Sequence, residues 1–143
     1  MRYHNHMIKK PYLLIVEDDP ILGTAMRDKF VSVGFKVKIA SDGDLAIKEL
    51  GNQLPQVVLL DILLPHKNGF DILSEMKSHP VWRHIPVVIA SNLESDKDID
   101  HGYALGAGEY IVKSNLSLSE LVHKVTFLMN MSKHGRDFLA QNK

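Results

Sequence analysis

The sequence contains no cysteine, which excludes disulfide bonds and thiolate chemistry but does not separate one cellular compartment from another. No apolar run approaches the length of about 18 residues that suggests a membrane-spanning helix. Residues 1–10 also lack the apolar stretch of a secretory signal peptide. We therefore expect no membrane association and, by default, a cytoplasmic location.

Neither sign of charge is in excess, because 17 lysines and arginines balance 17 aspartates and glutamates. Proteins that bind nucleic acids usually present a strong positive field. Direct binding of DNA or RNA is therefore not expected.

The length of 143 residues allows one sizeable core but is short for two ordinary domains. The hydrophobic share of 45% and the charged share of 24% are close to globular averages. We predict one domain over residues 12–131, an N-terminal tail over 1–11, and a C-terminal tail or linker stub over 132–143.

Five short apolar runs predict strands, at residues 12–16, 35–40, 57–60, 87–90 and 110–112. Their near-continuous Val, Ile and Leu content indicates strands that are covered on both faces. Segments with helical spacing lie between them, and the predicted N-caps of four helices are Asp19, Asn68, Ser95 and Ser117. Pro20 supports the first of these caps, and Glu120 completes a capping box in the last. Right-handed crossovers between such units give a doubly wound α/β domain with a five-stranded parallel sheet.

Acidic residues follow two of the predicted strands: Glu17, Asp18 and Asp19 end the first, and Asp61 ends the third. Open α/β sheets bind ligands at the carboxyl ends of their strands, so these carboxylates should collect where chemistry is expected. A hard divalent cation relieves the repulsion among them, and oxygen ligands of this kind suit Mg²⁺. Acids at strand ends can instead cap the next helix, which is the role expected for Asp19.

Two further polar residues end predicted strands, Ser91 after the fourth and Lys113 after the fifth. At the same sheet edge, a hydroxyl and an ammonium would flank Asp61. Phosphoryl transfer needs positioning, together with cations or donors that spread the charge on the phosphoryl oxygens. Taken alone, either residue is ordinary loop chemistry; together with the acids they predict a phosphoryl-transfer site.

Several motifs in order resemble the response-regulator receiver family, in particular single-domain, chemotaxis-regulator-like members. They are LIVEDD at 14–19, VLLDILLP at 58–65, GF at 69–70, IPVVIAS at 85–91 and GAGEYIVK at 106–113. The resemblance implies a flavodoxin-like receiver fold with strand order 2-1-3-4-5. It also implies that the chain is a module of a two-component phosphorelay. Such a module is a switch that turns over no external substrate and slowly loses its own phosphoryl group.

The same resemblance implies a role for each site residue. Asp61 is the expected phosphoacceptor, and the expected Mg²⁺ or Mn²⁺ ligands are Glu17, Asp18, Asp61 and the backbone carbonyl of Leu63. Ser91 is the expected catalytic and switch hydroxyl, Lys113 the cation that pairs with phosphate, and Tyr110 the switch aromatic, although an aromatic in a strand is usually just packing.

The implied partners are a histidine kinase or histidine phosphotransfer protein upstream and an unknown protein target downstream. The resemblance also leaves room for a phosphorylation-dependent homodimer.

The sequence departs from the family pattern at three places. Ser114 follows Lys113 where the family usually has a cis proline, and a cis bond before a residue other than proline costs about 3 to 4 kcal/mol. Asn92 stands where a small alanine is favoured, so access to the phosphate and movement of Ser91 can differ. Leu63 and Leu93 lie where some relatives place polar groups that orient water, so we expect a long-lived phosphorylated state unless both side chains point away.

Two other functions use comparable features. A metal-dependent phosphohydrolase also has an Asp nucleophile at a strand end. Its typical motif is Asp-x-Asp, whereas here the residue two after Asp61 is Leu63. A flavodoxin would have an uncharged, hydroxyl-rich phosphate loop after the first strand. In this chain the acids at 17–19 stand there, and they would repel a phosphate anion.

Overall fold

The computed structural model describes residues 9–132 and residue 140. Of the predicted tails, residues 1–8, 133–139 and 141–143 therefore lie outside the described residues. The strands are β1 (Tyr12–Val16), β2 (Lys36–Ala40), β3 (Val57–Leu60), β4 (Val87–Ser91) and β5 (Glu109–Val112). The α-helices are α1 (Pro20–Ser32), α2 (Gly43–Asn52), α3 (Gly69–Ser78), α4 (Asp96–Ala104) and α5 (Leu118–Met131).

All strand pairs are parallel, and the sheet has the order β2-β1-β3-β4-β5. This confirms the doubly wound α/β class and the strand order that the family resemblance implies. The bounds of β1 and β3 agree with the apolar runs, whereas β2 begins one residue later than predicted. β4 continues to Ser91 and β5 already begins at Glu109.

The four predicted caps are present, since the side chains of Asp19, Asn68, Ser95 and Ser117 each accept backbone N–H groups of the helix that follows. The Ser117 side chain and the Glu120 side chain form the predicted reciprocal capping box of α5. Such caps satisfy donors that otherwise lack partners in the first helical turn, and they fix where each chain segment leaves the sheet edge.

Two apolar clusters cover the faces of the sheet. One contains Leu14, Val16 and apolar residues of α2 and α3, and the other contains Leu13, Ile15 and apolar residues of α1 and α5. The prediction that the strands are buried on both faces is therefore confirmed for β1, β3 and β4, whose residues are all buried. It is wrong for β2, an edge strand whose exposure alternates because one face meets solvent at Lys36 and Lys38. None of the described helices is long and apolar enough to cross a membrane.

Candidate functional site

The candidate site lies at the carboxyl edge of the sheet, where backbone hydrogen bonds continue beyond the strands. The N–H of Glu17 donates to the carbonyl of Ala40 at 3.0 Å, and the N–H of Asp61 donates to the carbonyl of Val16 at 3.0 Å. The first bond holds Glu17 against the end of β2, and the second holds Asp61, the first residue after β3, against the end of β1. Glu17 and Asp61 are both buried, at 3% and 6% exposure.

Both carboxylate oxygens of Asp61 have partners. Its Oδ1 accepts the N–H of Ile62 at 2.7 Å and that of Leu63 at 3.3 Å, while its Oδ2 accepts from Lys113 Nζ at 2.8 Å. Gly69 lets α3 begin directly against this turn, because a Cβ atom there would lie 2.2 Å from the carbonyl oxygen of Asp61. The donors from Ile62 and Leu63 were not predicted, since backbone direction after a strand is not visible in residue types.

Lys113 bridges two buried carboxylates, because its Nζ also lies 2.5 Å from Oε1 of Glu17. Burial lowers the pKa of Lys113, but the hydrogen bonds with Asp61 and Glu17 outweigh burial, and the net pKa is raised. Burial raises the pKa of Glu17, and Lys113 opposes that rise only in part. The pairing with Asp61 was predicted, whereas the pairing with Glu17 was not.

One carboxylate oxygen each from Glu17, Asp18 and Asp61 lies within 4.8 Å of the others. Lys113 contacts two of these three acids, so negative charge remains at the cluster. The donor set is made only of oxygens, one acid is exposed to solvent, and this combination fits a hard divalent cation. Asp19 stands apart: its Oδ1 accepts from the N–H groups of Ile21 and Leu22, in the capping role expected for it.

Ser91 and Tyr110 meet beside the loop that leads into α4. Ser91 is fully buried, and its hydroxyl accepts the N–H of Leu93 at 3.3 Å. The hydroxyl of Tyr110 donates to the carbonyl of Leu93 at 2.8 Å. Burial raises the pKa of Tyr110, the charges of Asp98 and Asp61 add to the rise, and the Ser91 side chain opposes it. The charge of Asp61 therefore acts on the Tyr110 hydroxyl, while the Tyr110 ring is packed in the core.

Two departures from the family pattern have visible consequences. Among residues 9–132 no peptide bond is cis, so Lys113 is joined to Ser114 in trans and begins a short 3₁₀ helix, Lys113–Asn115. The side chains expected to crowd Asp61 differ in exposure: Leu63 is 55% exposed, whereas Leu93 is partly buried against the core. The backbone of Leu63 is at the site, but the role of its carbonyl as a metal ligand stays a prediction.

Comparison with known proteins gives concordant matches. The family model of the response regulator receiver domain matches residues 13–126. The transcriptional activator protein PfeR of Pseudomonas aeruginosa is 33% identical over 141 residues, which are 98% of this chain and 45% of PfeR. The phosphorylated cyanobacterial phytochrome response regulator RcpA is 30% identical with a TM-score of 0.74, covering 87% of this chain and 94% of that one. The Mn²⁺-bound response regulator Rcp1 is 27% identical with a TM-score of 0.71, covering 86% and 94%.

The chain spans less than half the length of PfeR, so most of that protein has no counterpart here. The matches concern the strand-helix units and the acidic edge described above.

Proposed function

The chain belongs to the response regulator receiver domain family, and on that basis we propose that it accepts a phosphoryl group on Asp61 from a histidine kinase or a histidine phosphotransfer protein. The observation that carries the proposal is the buried Asp61 carboxylate, held by Lys113 and backbone N–H groups beside two further acids. A nucleophile, a fixed cation and candidate metal ligands meet there within one sheet edge.

In the proposed reaction an oxygen of Asp61 forms a bond to phosphorus as the bond from phosphorus to the donor's histidine nitrogen breaks. The products are an acyl phosphate on Asp61 and a free histidine on the donor. Lys113 stays in contact with the group as charge moves onto the phosphoryl oxygens, and Ser91 supplies a hydroxyl donor. Apart from the bond formed by Asp61, the protein contributes by positioning the reacting groups.

Glu17, Asp18 and Asp61, with the carbonyl of Leu63, are the proposed ligands of Mg²⁺ or Mn²⁺. The close carboxylate oxygens support this assignment, as does the similarity to a response regulator with bound Mn²⁺. When bound, the ion neutralises charge on the phosphoryl oxygens.

We propose that the phosphorylated domain acts as a switch for a downstream protein and not as an enzyme with an external substrate. Ser91 and Tyr110 are the proposed switch residues, because Leu93 connects both of them to the entrance of α4. Lys113 would couple phosphorylation of Asp61 to the movement of the switch residues, since it contacts the Asp61 carboxylate before the phosphoryl group is transferred. The expectations of a cytoplasmic location, of no direct nucleic-acid binding and of room for a phosphorylation-dependent homodimer remain predictions.

Titration with beryllofluoride, a stable mimic of an aspartyl phosphoryl group, tests the proposal by NMR. In the presence of Mg²⁺ the amide signals of Ile62, Leu63 and Ser91 should move to new positions. The Asp61→Asn variant should show no such change, and neither should wild type without Mg²⁺. Equal spectra of wild type with and without beryllofluoride would count against Asp61 as acceptor.

A further inference from the structure

Three consecutive residues in the last turns of α4 hold the helix against α3 and the sheet. The His101 ring packs on the Phe70 ring of α3, with centroids 4.5 Å apart and planes at 65°. Gly102 faces the sheet, and Tyr103 reaches β5. Successive helix residues point about 100° apart, so such a run can fasten one helix on several sides.

Gly102 brings the backbone of α4 against the ring of Tyr110. A Cβ atom at this position would lie 2.9 Å from Cδ2 of Tyr110 and 2.8 Å from Cδ1 of Ile89. Any larger residue would therefore push α4 away from the sheet or displace the Tyr110 ring. The close contact between α4 and the Tyr110 ring therefore depends on glycine at position 102.

Tyr103 attaches the same helix to the backbone of Tyr110. Its hydroxyl donates to Oε2 of Glu109 at 3.0 Å and accepts the N–H of Tyr110 at 3.1 Å. The Glu109 carboxylate also accepts that N–H, at 3.3 Å. Because β5 is an edge strand, an N–H directed away from β4 has no strand partner, and the phenol supplies one from another element.

Tyr110 thus contacts the segment that precedes α4 as well as the last turn of α4. Its hydroxyl bonds to Leu93 before the helix begins, its ring rests on Gly102, and its N–H bonds to Tyr103 in the last turn. We infer that Tyr103 is a positioning residue: its hydroxyl holds the last turn of α4 on the backbone of β5 at Tyr110, the strand residue that carries this side chain. Only the description of Tyr110 as a switch residue rests on the proposed function.

The Tyr103→Phe variant tests the inference in the full chain without any phosphoryl mimic, because it removes the hydroxyl and keeps the ring. Amide hydrogen exchange at Tyr110 should accelerate about two- to tenfold, as expected for the loss of one hydrogen bond. Tyr12→Phe is the matched control, because within the described residues its buried hydroxyl has no hydrogen-bond partner. Glu109→Gln keeps an acceptor oxygen for the phenol and should exchange close to the wild-type rate.

A second measurement separates positioning from packing. With Mg²⁺ and beryllofluoride, Tyr103→Phe should keep the shift changes at Tyr110 but show changes at least about twofold smaller across Asp96–Ala104, because the hydrogen bond that ties the last turn of α4 to β5 is lost. The control Tyr12→Phe should keep both sets. If wild type shows no response even at Ile62, the proposed function fails, and the exchange experiment still decides the role of Tyr103. Unchanged Tyr110 exchange in Tyr103→Phe, or full-sized α4 responses in it, would overturn the inference.

Discussion

The ammonium nitrogen of Lys113 lies 2.8 Å from Oδ2 of Asp61, although 52 positions separate these residues in sequence. The same nitrogen contacts Glu17, and the Lys113 side chain is only 16% exposed. One cation therefore compensates two buried carboxylates, and its removal leaves both without a charged partner.

We predict that Lys113→Ala lowers the free energy of unfolding by about 3 kcal/mol, because a buried ion pair has lost one partner. Adding Mg²⁺ should recover part of that loss, since a bound cation compensates the same acids. Urea unfolding with and without Mg²⁺ measures both effects. Lys38→Ala is the control: its ion pair with Glu49 spans 3.6 Å and its side chain is half-exposed, so the loss should stay below about 1 kcal/mol. Equal losses in the two variants would contradict the bridging role of Lys113.

A second prediction separates two adjacent acids. Asp18→Ala should weaken Mg²⁺ binding by about tenfold or more, because it removes a carboxylate of the oxygen cluster. Asp19→Ala should keep the Mg²⁺ affinity and lose about 1 kcal/mol of stability, because Asp19 caps α1. Mg²⁺ titration followed by NMR, together with urea unfolding, gives the four values. The metal assignment is wrong if Asp18→Ala binds Mg²⁺ as tightly as Asp19→Ala does.

The third prediction concerns the lifetime of phosphorylated Asp61. Neither Leu63 nor Leu93 can accept a proton or orient a water for attack on phosphorus, so hydrolysis should be slow. Leu63→Asn combined with Leu93→Glu should shorten the half-life of the phosphorylated protein in Mg²⁺, and the single variants show which leucine matters. The exposure of Leu63 leaves a larger shielding role to Leu93. A double variant that decays no faster than wild type would show that apolar shielding does not control the lifetime.

The fourth prediction concerns Tyr12 at the opposite end of β1. Burial raises its pKa to about 12, and the charge of Glu49 adds to the rise. The folded state therefore favours the neutral phenol, and this contribution to stability is present below pH 10 and lost as pH rises towards about 12. Urea midpoints measured across that range should fall less steeply in Tyr12→Phe than in wild type. Parallel profiles for the two proteins would exclude Tyr12 as a source of the alkaline loss.

Local sequence signals predicted much of the framework. A cap depends on residues two or three positions apart, so Asp19 and Ser117 were identifiable from their neighbours alone. The site was predictable for a different reason: parallel strands bring their carboxyl ends to one edge, so Glu17, Asp61 and Lys113 had to be close.

The remaining contacts depend on side-chain direction and loop path. Residue types alone do not reveal that Lys113 also reaches Glu17, or that Leu63 points into solvent. The backbone of His66 has a φ of 68°, in the left-handed region that favours glycine, and no periodic pattern marks this position. Tyr103 was missed because its partner is an edge N–H of β5, which becomes visible only once the sheet order and the position of α4 are known.

Intact-mass measurement tests most directly whether Asp61 accepts one phosphoryl group in a metal-dependent reaction. The full chain should be incubated with a small phosphodonor and Mg²⁺, in parallel with Asp61→Asn and with a chelated sample. We predict that wild type gains the mass of a single phosphoryl group, while Asp61→Asn and the chelated sample gain none. An unmodified wild-type mass, or equal phosphorylation of Asp61→Asn, would contradict the account.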